Sequence, residues 1–197
     1  KQTFGEDPLR VLRGVQLAGR LELTVDETTE ALMKSMSSQL HELSIDRKRT
    51  EWRKLFLKAQ KPSIGLDLAY RIGVFAEDMP LVQDMVDTKQ EFEWHPEGSV
   101  WAHTMWVTDE AVLIAEREEL DDDARLTLVL GGFCHDCGKP ETTKTVEGRI
   151  RSPGHPAAGC LRVKSMLGAM GLDKFVDSVK PLVKFHMYPY PCWKKRD

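Results

Sequence analysis

The sequence lacks any apolar run approaching the roughly 20 residues of a membrane-spanning helix, and no secretory signal opens it. Cysteine is scarce, and its four positions do not form the dense pattern of a small disulfide-rich secreted domain. These absences predict a protein of the reducing cytoplasm that has no membrane partner. The sequence leaves the oligomeric state unspecified.

An excess of basic residues is also absent, because 28 Lys and Arg face 31 Asp and Glu, for a formal net charge of −3. This balance argues against indiscriminate nucleic-acid binding but is compatible with a local basic patch. The hydrophobic fraction of 41% is that of an ordinary globular chain, enough for one core or two small units. The first residue is Lys1 rather than Met, so we expect the sequence to be part of a longer chain.

Alternating β-strand patterns are nearly absent, and apolar residues recur at helical spacing through most of the chain. In the first half, Asp7 followed by Pro8 is typical of a helix start. Thr24 fits the first position of a capping box. Ser63 is the predicted cap of a helix for which Gly73 is the predicted stop.

The second half is also predicted to be helical, after a weakly periodic stretch over residues 74–98 that suits a short helix and a connection. Helical spacing predicts a helix from Ser99 to about residue 118, one opened by the aspartates at 121–123, and two over about 155–170 and 173–187. The Glu147-Gly148 pair is typical of a turn in a loop or small hairpin. The sequence therefore predicts an all-α fold with at most one small hairpin.

The stretch 131–140, GGFCHDCGKP, has two incompatible interpretations. Cys134 and Cys137 form C-x-x-C, as in a redox pair or half of a zinc site, whereas His135 and Asp136 suit a metal ion that handles phosphate. On one helix, at about 100° per residue, the two pairs point in nearly opposite directions. The cysteines then share a side with apolar residues of the preceding turns, so we expect them to be small core residues.

The surroundings of the His-Asp pair favour the metal interpretation. Gly138 is expected to let the backbone turn sharply, and Lys139 becomes a potential phosphate contact. Four of the six histidines fall one per predicted element, as in metal sites built from facing helices: His103, His135, His155 and His186. A metal role is favoured for His103, in the apolar sequence VWAHTMW, whereas for His155 and His186 a core or surface role remains equally open.

These residues resemble the HD superfamily of metal-dependent phosphohydrolases, whose signature is a His, then a His-Asp pair, then further His or Asp. The segments EWHPEGSVWAHT, CHDCGKPETT and GRIRSPGH resemble more narrowly the HD domain of bacterial tRNA nucleotidyltransferases, the CCA-adding enzymes and related poly(A) polymerases. The segment GEDPLRVLRGVQLAGRL resembles the E-D-x-x-R motif of that family's neck, carried by Glu6, Asp7 and Arg10. The resemblance spans nearly the whole chain and implies a neck-like helical region over 1–75 followed by an HD-type helical bundle over 76–197.

The resemblance also implies roles for neck residues. In that family the neck Asp and Arg hydrogen-bond the base edge of the incoming nucleotide, which assigns nucleotide binding to Asp7 and Arg10; Arg13, one turn later, could join Arg10 on a phosphate. The family's catalytic head would precede residue 1, so we expect no nucleotide polymerisation by this chain alone. HD proteins usually add a late Asp ligand, whereas Asp173 and Asp177 come too early for that role.

The first hypothesis is a metal-dependent phosphohydrolase in which Asp136 and Lys139 are the catalytic residues. One divalent ion would be held by His103, His135 and Asp136, with His155 and His186 contributing to it or to a second ion. These ligands suit Mn, Ni, Co, Fe or Zn, and Mg is also compatible.

The substrate of this hypothesis comes from the resemblance, which implies phosphomonoesters or 2′,3′-cyclic phosphodiesters of a nucleotide or RNA 3′ end. Arg149 and Arg151, in the polar stretch after the His-Asp pair, are the predicted contacts to the substrate phosphate. A solvated surface charge is the open alternative for both, and the preferred one for Arg149.

The second hypothesis is a non-hydrolytic module, the nucleotide- and tRNA-binding neck and body of a CCA-adding enzyme with a vestigial HD site. The segment RKRTEWRK would supply RNA contacts within about two helical turns: Arg47, Lys48, Arg49, Arg53 and Lys54. A third hypothesis, a redox protein that uses Cys134 and Cys137, requires a thiol pair of low pKa.

Overall fold

The computed structural model describes residues 7–188, so Glu6 of the E-D-x-x-R motif lies outside the described part. Its elements are α1 (Leu9–Leu21), α2 (Glu27–Met36), a 3₁₀ segment (Ser37–Glu42), α3 (Ile45–Lys58), α4 (Pro62–Arg71), α5 (Leu81–Asp87), α6 (Val100–Arg117), α7 (Asp122–Cys134), α8 (Lys139–Thr142), β1 (Lys144–Val146), β2 (Arg149–Arg151), α9 (His155–Ala169), a 3₁₀ segment (Asp173–Phe175) and α10 (Val176–Phe185). The predicted all-α fold is confirmed. Over residues 7–188, no helix combines the length and the apolar character that a bilayer span requires.

The small hairpin is also confirmed, as an antiparallel pair of β1 and β2 in which Lys144 lies opposite Arg151 and Val146 opposite Arg149. Its two turn residues, Glu147 and Gly148, both have positive φ angles, of 52° and 75°. Two successive residues of positive φ match the right-handed twist of the flanking strands, which is why such short turns close hairpins.

Two of the predicted helix starts in the first half are wrong. The N-cap of α2 is Asp26, which accepts hydrogen bonds from two backbone N–H groups of the first turn, and Thr24 lies two positions before it. Ser63 lies inside the first turn of α4, because that helix begins at Pro62. There the Asp109 carboxylate of α6 accepts from both the N–H and the hydroxyl of Ser63, at 3.0 and 2.6 Å. A distant residue therefore performs the capping that the local pattern assigned to Ser63.

The starts of the helices that lead to the site are as predicted. Ser99 caps α6 by accepting a hydrogen bond from the N–H of Ala102 at 3.1 Å, and Asp121 caps α7 by accepting from the N–H groups of Asp123 and Ala124. Gly73, just after α4, has a φ of +80°, the left-handed conformation in which glycine commonly ends a helix.

The described helices pack around one continuous apolar core. Phe56 of α3 contacts Phe133 of α7, with ring centroids 5.4 Å apart, and Trp101 of α6 lies 6.3 Å from Phe133. Arg49 of α3 donates to the carbonyl of Gly171 just after α9, at 2.7 Å. The neck-like helices therefore pack directly on the later bundle, and the boundary between residues 75 and 76 stays a prediction.

Candidate metal centre

Five side chains from separate parts of the chain meet at one end of the bundle. They are His103 from α6, His135 and Asp136 from the turn after α7, His155 from the start of α9 and His186 from the end of α10. The helix α7 ends at Cys134, earlier than the single helix assumed from the sequence, and residues 135–138 form a turn. The structure thus brings all the predicted metal ligands together; metal binding by them stays a prediction.

The two cysteines flanking the His-Asp pair point into the core. Cys134 and Cys137 are completely buried, as predicted for small core residues. Burial raises the pKa of both thiols, that of Cys137 to about 12. A buried thiol that resists ionisation is a poor nucleophile and a poor metal ligand, so the redox hypothesis lacks the low-pKa pair that it requires.

The two carboxylate oxygens of Asp136, a buried side chain, face different partners. Oδ2 lies 2.7 Å from Lys139 Nζ, 3.1 Å from His135 Nε2 and 3.8 Å from His103 Nε2, and Oδ1 lies 3.3 Å from His155 Nε2 and 3.6 Å from His186 Nε2. Burial alone would raise the pKa of this carboxyl, but His135 and Lys139 outweigh it and hold the pKa below its usual range. Asp136 is therefore ionised at neutral pH.

Three of the four imidazoles are oriented by a backbone carbonyl. His135, His155 and His186 donate from Nδ1 to the carbonyls of Gly132, Ser152 and Val183, each at 2.7 Å. Because a carbonyl can only accept, each ring carries a proton on Nδ1 and presents its Nε2 toward Asp136. Metal-binding histidines are presented in this way, with the second ring nitrogen held by an acceptor.

The protonation and geometry of His155 and His186 suit the binding of a metal cation. Burial lowers the pKa of both rings, so both are neutral at pH 7. Their Nε2 atoms lie only 2.9 Å apart, with both lone pairs directed into the same space. The adjacent Oδ1 of Asp136 is buried without a hydrogen-bond donor among residues 7–188. Two lone pairs and a carboxylate oxygen gathered without a donor are satisfied by a divalent ion, and this donor set matches a transition metal.

A second group of ligand atoms lies on the other side of the same carboxylate. It consists of His103, His135 and Asp136, and within this group, as within the group of Asp136, His155 and His186, all ligand atoms are within 4.8 Å of one another. Asp136 belongs to both groups and offers one oxygen to each. The centre could therefore hold one ion or two.

Glu97, which no motif in the sequence marks, forms a further group of possible metal ligands with His95 and His103. Glu97 Oε1 lies 2.6 Å from His103 Nδ1 and 3.0 Å from His95 Nδ1. Burial, reinforced by the neighbouring His135, lowers the pKa of His103 to about 4. The neutral ring of His103 thus has its Nδ1 beside a carboxylate and its Nε2 toward Asp136. Nothing local in the sequence links Glu97 to His103, because the contact depends on how the loop before α6 folds back.

We expect Glu97→Ala to lower metal affinity about 10- to 100-fold, because a ligand histidine that loses the carboxylate beside its second ring nitrogen is no longer held in one orientation. Titration calorimetry of the metal-free protein with Mn²⁺ measures the effect. Glu93→Ala is the matched control, since Glu93 lies in the same loop but pairs with Arg149, 3.5 Å away. An unchanged affinity in Glu97→Ala would show that Glu97 does not orient His103.

The centre opens into a cavity of about 660 Å³. Arg151 lines this cavity, whereas Arg149 does not and instead pairs with Glu93. Lys139 is buried beside the centre, where its Nζ donates to Gln90 Oε1 at 2.5 Å and contacts Asp136. Of the two arginines predicted to contact phosphate, the structure therefore brings only Arg151 to the candidate site.

The residues predicted to bind a nucleotide, Asp7, Arg10 and Arg13, lie at the start of α1 and do not line this cavity. Asp7 accepts a hydrogen bond from the N–H of Leu9 at 3.0 Å, and its other oxygen lies 2.7 Å from Arg47. The Leu9 N–H and then the Arg47 guanidinium hold the pKa of the Asp7 carboxyl below its usual value. Asp7 thus stabilises the start of α1, and nucleotide binding by this group stays a prediction.

The basic segment of α3 is less available to RNA than its sequence suggests. Lys48 is only 9% exposed, and its ammonium group lies 2.9 Å from Asp78. Arg49 is engaged by the carbonyl of Gly171 and by Asp46. Lys48 is therefore unsuited to an RNA contact, because its charge is neutralised inside the fold.

Two family models match the chain, one in its first half and one in its second half. A family model described as the probable RNA and SrmB-binding site of polymerase A matches residues 22–85, and the HD domain model matches residues 100–193. The chain belongs to the tRNA nucleotidyltransferase and poly(A) polymerase family, through its neck and HD regions. The expectation from the sequence is thereby confirmed, and the convergence of His135 and Asp136 with three further histidines lies within the matched HD region.

Relatives in this family are multifunctional CCA proteins. That of Mannheimia succiniciproducens is 28% identical over 197 residues, which cover 97% of this chain and 46% of the relative. That of Pasteurella multocida is 28% identical over 199 residues, or 98% of this chain and 46% of the relative, and that of Aliivibrio salmonicida is 32% identical over 147 residues, or 72% and 34%. The chain thus spans less than half the length of these relatives.

Proposed function

We propose that this chain is a metal-dependent phosphohydrolase of the HD superfamily with a two-ion centre bridged by Asp136. The observation that carries the proposal is the pair of Nε2 atoms of His155 and His186, 2.9 Å apart, beside a buried carboxylate oxygen that lacks a donor among residues 7–188. One ion would be held by His155, His186 and Asp136 Oδ1, and the other by His103, His135 and Asp136 Oδ2. Mn, Ni, Co, Fe and Zn match these ligands, and Mg is compatible with the carboxylate.

A divalent ion in such a centre supplies an acidified water as nucleophile and polarises the phosphoryl oxygens. Side chains beside the centre would bind the phosphate group of the substrate. Lys139 has three N–H donors, and its contacts within residues 7–188 are Gln90 and Asp136, so the remaining donor would serve a phosphoryl oxygen. Arg151, which lines the cavity, would hold a second phosphate oxygen.

We propose phosphomonoesters or 2′,3′-cyclic phosphodiesters at a nucleotide or RNA 3′ end as substrates. The relatives carry the name multifunctional CCA protein, which favours nucleotide substrates. A cavity of about 660 Å³ is in the size range of small-molecule sites. A terminal phosphate can enter such a cavity while the remainder of the molecule extends outside.

The direct test is hydrolysis by protein that has been stripped of metal with a chelator and reloaded with Mn²⁺, Ni²⁺, Co²⁺, Zn²⁺ or Mg²⁺. Phosphate release from nucleoside monophosphates and ring opening of 2′,3′-cyclic nucleotides are measured together with metal content. We expect both to be lost in His155→Gln and retained in His41→Gln, since His41 is an exposed histidine outside the centre. Absence of metal binding and of hydrolysis in the unmodified protein would refute the proposal.

A second candidate function, RNA binding by the neck, is favoured by the match of residues 22–85 to an RNA-binding family model. We propose that the exposed Arg13 on α1 contributes a phosphate contact. Removal of one such contact reduces the slope of log affinity against log salt by about 1. Binding of tRNA at several salt concentrations, compared between unmodified protein and Arg13→Ala, tests this, and an identical slope would exclude Arg13.

A further inference from the structure

Two large aromatic side chains project from the short turn that precedes α6. Trp94 is 66% exposed and Phe92 is 73% exposed. Trp94 lines the cavity above the metal centre, whereas Phe92, two residues earlier, does not. An aromatic side chain that lines a cavity together with a few polar and charged groups is typical of a small-molecule site.

The turn that carries Trp94 is fixed on both sides. Glu91, three residues before it, accepts a hydrogen bond from the N–H of Ile150 on β2 at 2.8 Å. His95, directly after it, stacks edge-on against His103 with ring centroids 4.6 Å apart. The backbone of Trp94 itself donates to the Glu91 carbonyl at 3.1 Å. The indole is therefore attached to a preorganised support rather than to a free loop, which reduces the entropy lost on binding.

The remaining walls of the cavity define what could occupy it. Its polar part holds the imidazoles, Lys139 and Arg151, and its apolar part is formed by Ile150, Pro153 and Met187 next to Trp94. The cationic groups on its wall suit a phosphate, and the flat aromatic surface of Trp94 together with the apolar residues suits a planar ring. A nucleotide combines both features in one molecule, because every base has a π-face that stacks on aromatic side chains.

We propose that Trp94 is the base-stacking residue of this site and that the site selects nucleotides over phosphate esters without a base. The inference rests on the phosphohydrolase function proposed above. The phosphate of the substrate lies at the metal centre, with Lys139 and Arg151, and its base lies on the indole. Stacking is tolerant of base identity, so the site accepts all four bases and favours purines, which offer the larger stacking area.

The test compares a nucleotide with a phosphate ester that has no base. For adenosine 3′-monophosphate, Trp94→Ala is expected to raise KM about 5- to 150-fold, the effect of removing one stacked base, with kcat nearly unchanged because the contact lies away from the reacting phosphate. For glycerol 2-phosphate the same variant keeps the KM of the unmodified protein. Trp94→Phe restores most of the nucleotide affinity, and Phe92→Ala, on the same turn but outside the cavity, changes neither substrate.

A binding measurement separates this inference from the proposed function. Equilibrium dialysis of adenosine 3′-monophosphate against metal-loaded protein reports stacking even if no hydrolysis occurs. Weaker binding in Trp94→Ala and not in Phe92→Ala supports the inference in either case. Equal binding in all three proteins, or an equal rise of KM for both substrates, overturns it while leaving the hydrolase proposal intact. Hydrolysis of neither substrate counts against the proposed function alone.

Discussion

Asp136→Asn is expected to abolish tight metal binding and to lower hydrolysis by more than about 100-fold, since loss of an outer-shell partner alone costs roughly 10- to 100-fold. Asparagine keeps the shape of the side chain but removes the negative charge and replaces one oxygen by a donor. One proposed ion then loses its oxygen ligand and the other keeps only a neutral amide oxygen, because Asp136 contributes one oxygen to each group of histidines. Metal analysis and phosphate release on the same preparation measure the two losses.

The same substitution also affects the metal-free protein. Lys139 is a buried cation 2.7 Å from Asp136, and removing one partner of a buried ion pair typically costs about 3–5 kcal/mol. Urea unfolding without metal should therefore show a lower free energy of unfolding. Asp109→Asn is the matched control, because Asp109 is a half-buried carboxylate on α6 that binds Ser63 and lies outside the centre. If Asp136→Asn retained metal and activity, the centre would have to be assigned elsewhere.

Gly138→Ala is expected to destabilise the fold and to weaken metal binding. The expected loss in free energy of unfolding is about 3 kcal/mol, the upper end of the usual cost of inserting extra atoms into a packed core. A Cβ atom at this position would lie 2.2 Å from the carbonyl oxygen of His155 and 2.3 Å from the backbone nitrogen of Gly159. Both atoms belong to the backbone of α9, so no side chain can move aside. The first turn of α9 must shift, and the imidazole of His155 moves with it away from Asp136.

Thermal and urea unfolding and titration with Mn²⁺ measure the two effects of Gly138→Ala. Gly148→Ala serves as the comparison, because Gly148 has a φ of +75° in the hairpin turn and nothing lies within 4 Å of its added Cβ. The cost there is one left-handed residue, about 1–2 kcal/mol, and metal affinity is unaffected. Normal stability and normal metal affinity in Gly138→Ala would contradict the close approach of the turn and α9.

The reason for glycine at position 138 differs from the one expected from the sequence. A sharp turn requiring glycine was expected, yet φ at Gly138 is −88°, a value that every residue adopts. What excludes a side chain is the approach of α9, whose residues follow about 20 positions later in the chain. A local pattern identified the position correctly, and a contact between distant segments supplied the cause.

The sequence by itself determined the all-α class, the starts of α6 and α7, and the burial of Cys134 in the last turn of α7. These features depend on helical periodicity and on hydrogen bonds between residues two or three positions apart. Such short-range interactions can be predicted from the local amino-acid sequence. The His-Asp pair and single histidines on separate helices predicted a common site, but not which atoms would meet.

Only the tertiary structure decided how the two oxygens of Asp136 are divided between two pairs of histidines, that Glu97 stands behind His103, and that Trp94 lines the cavity. Each of these depends on the relative placement of elements far apart in the chain, which is set by the packing of the common core around α7. The types of side chain in the sequence limit which reactions and ligands are chemically possible. The packing of the helices determines which of these side chains lie close enough to act together.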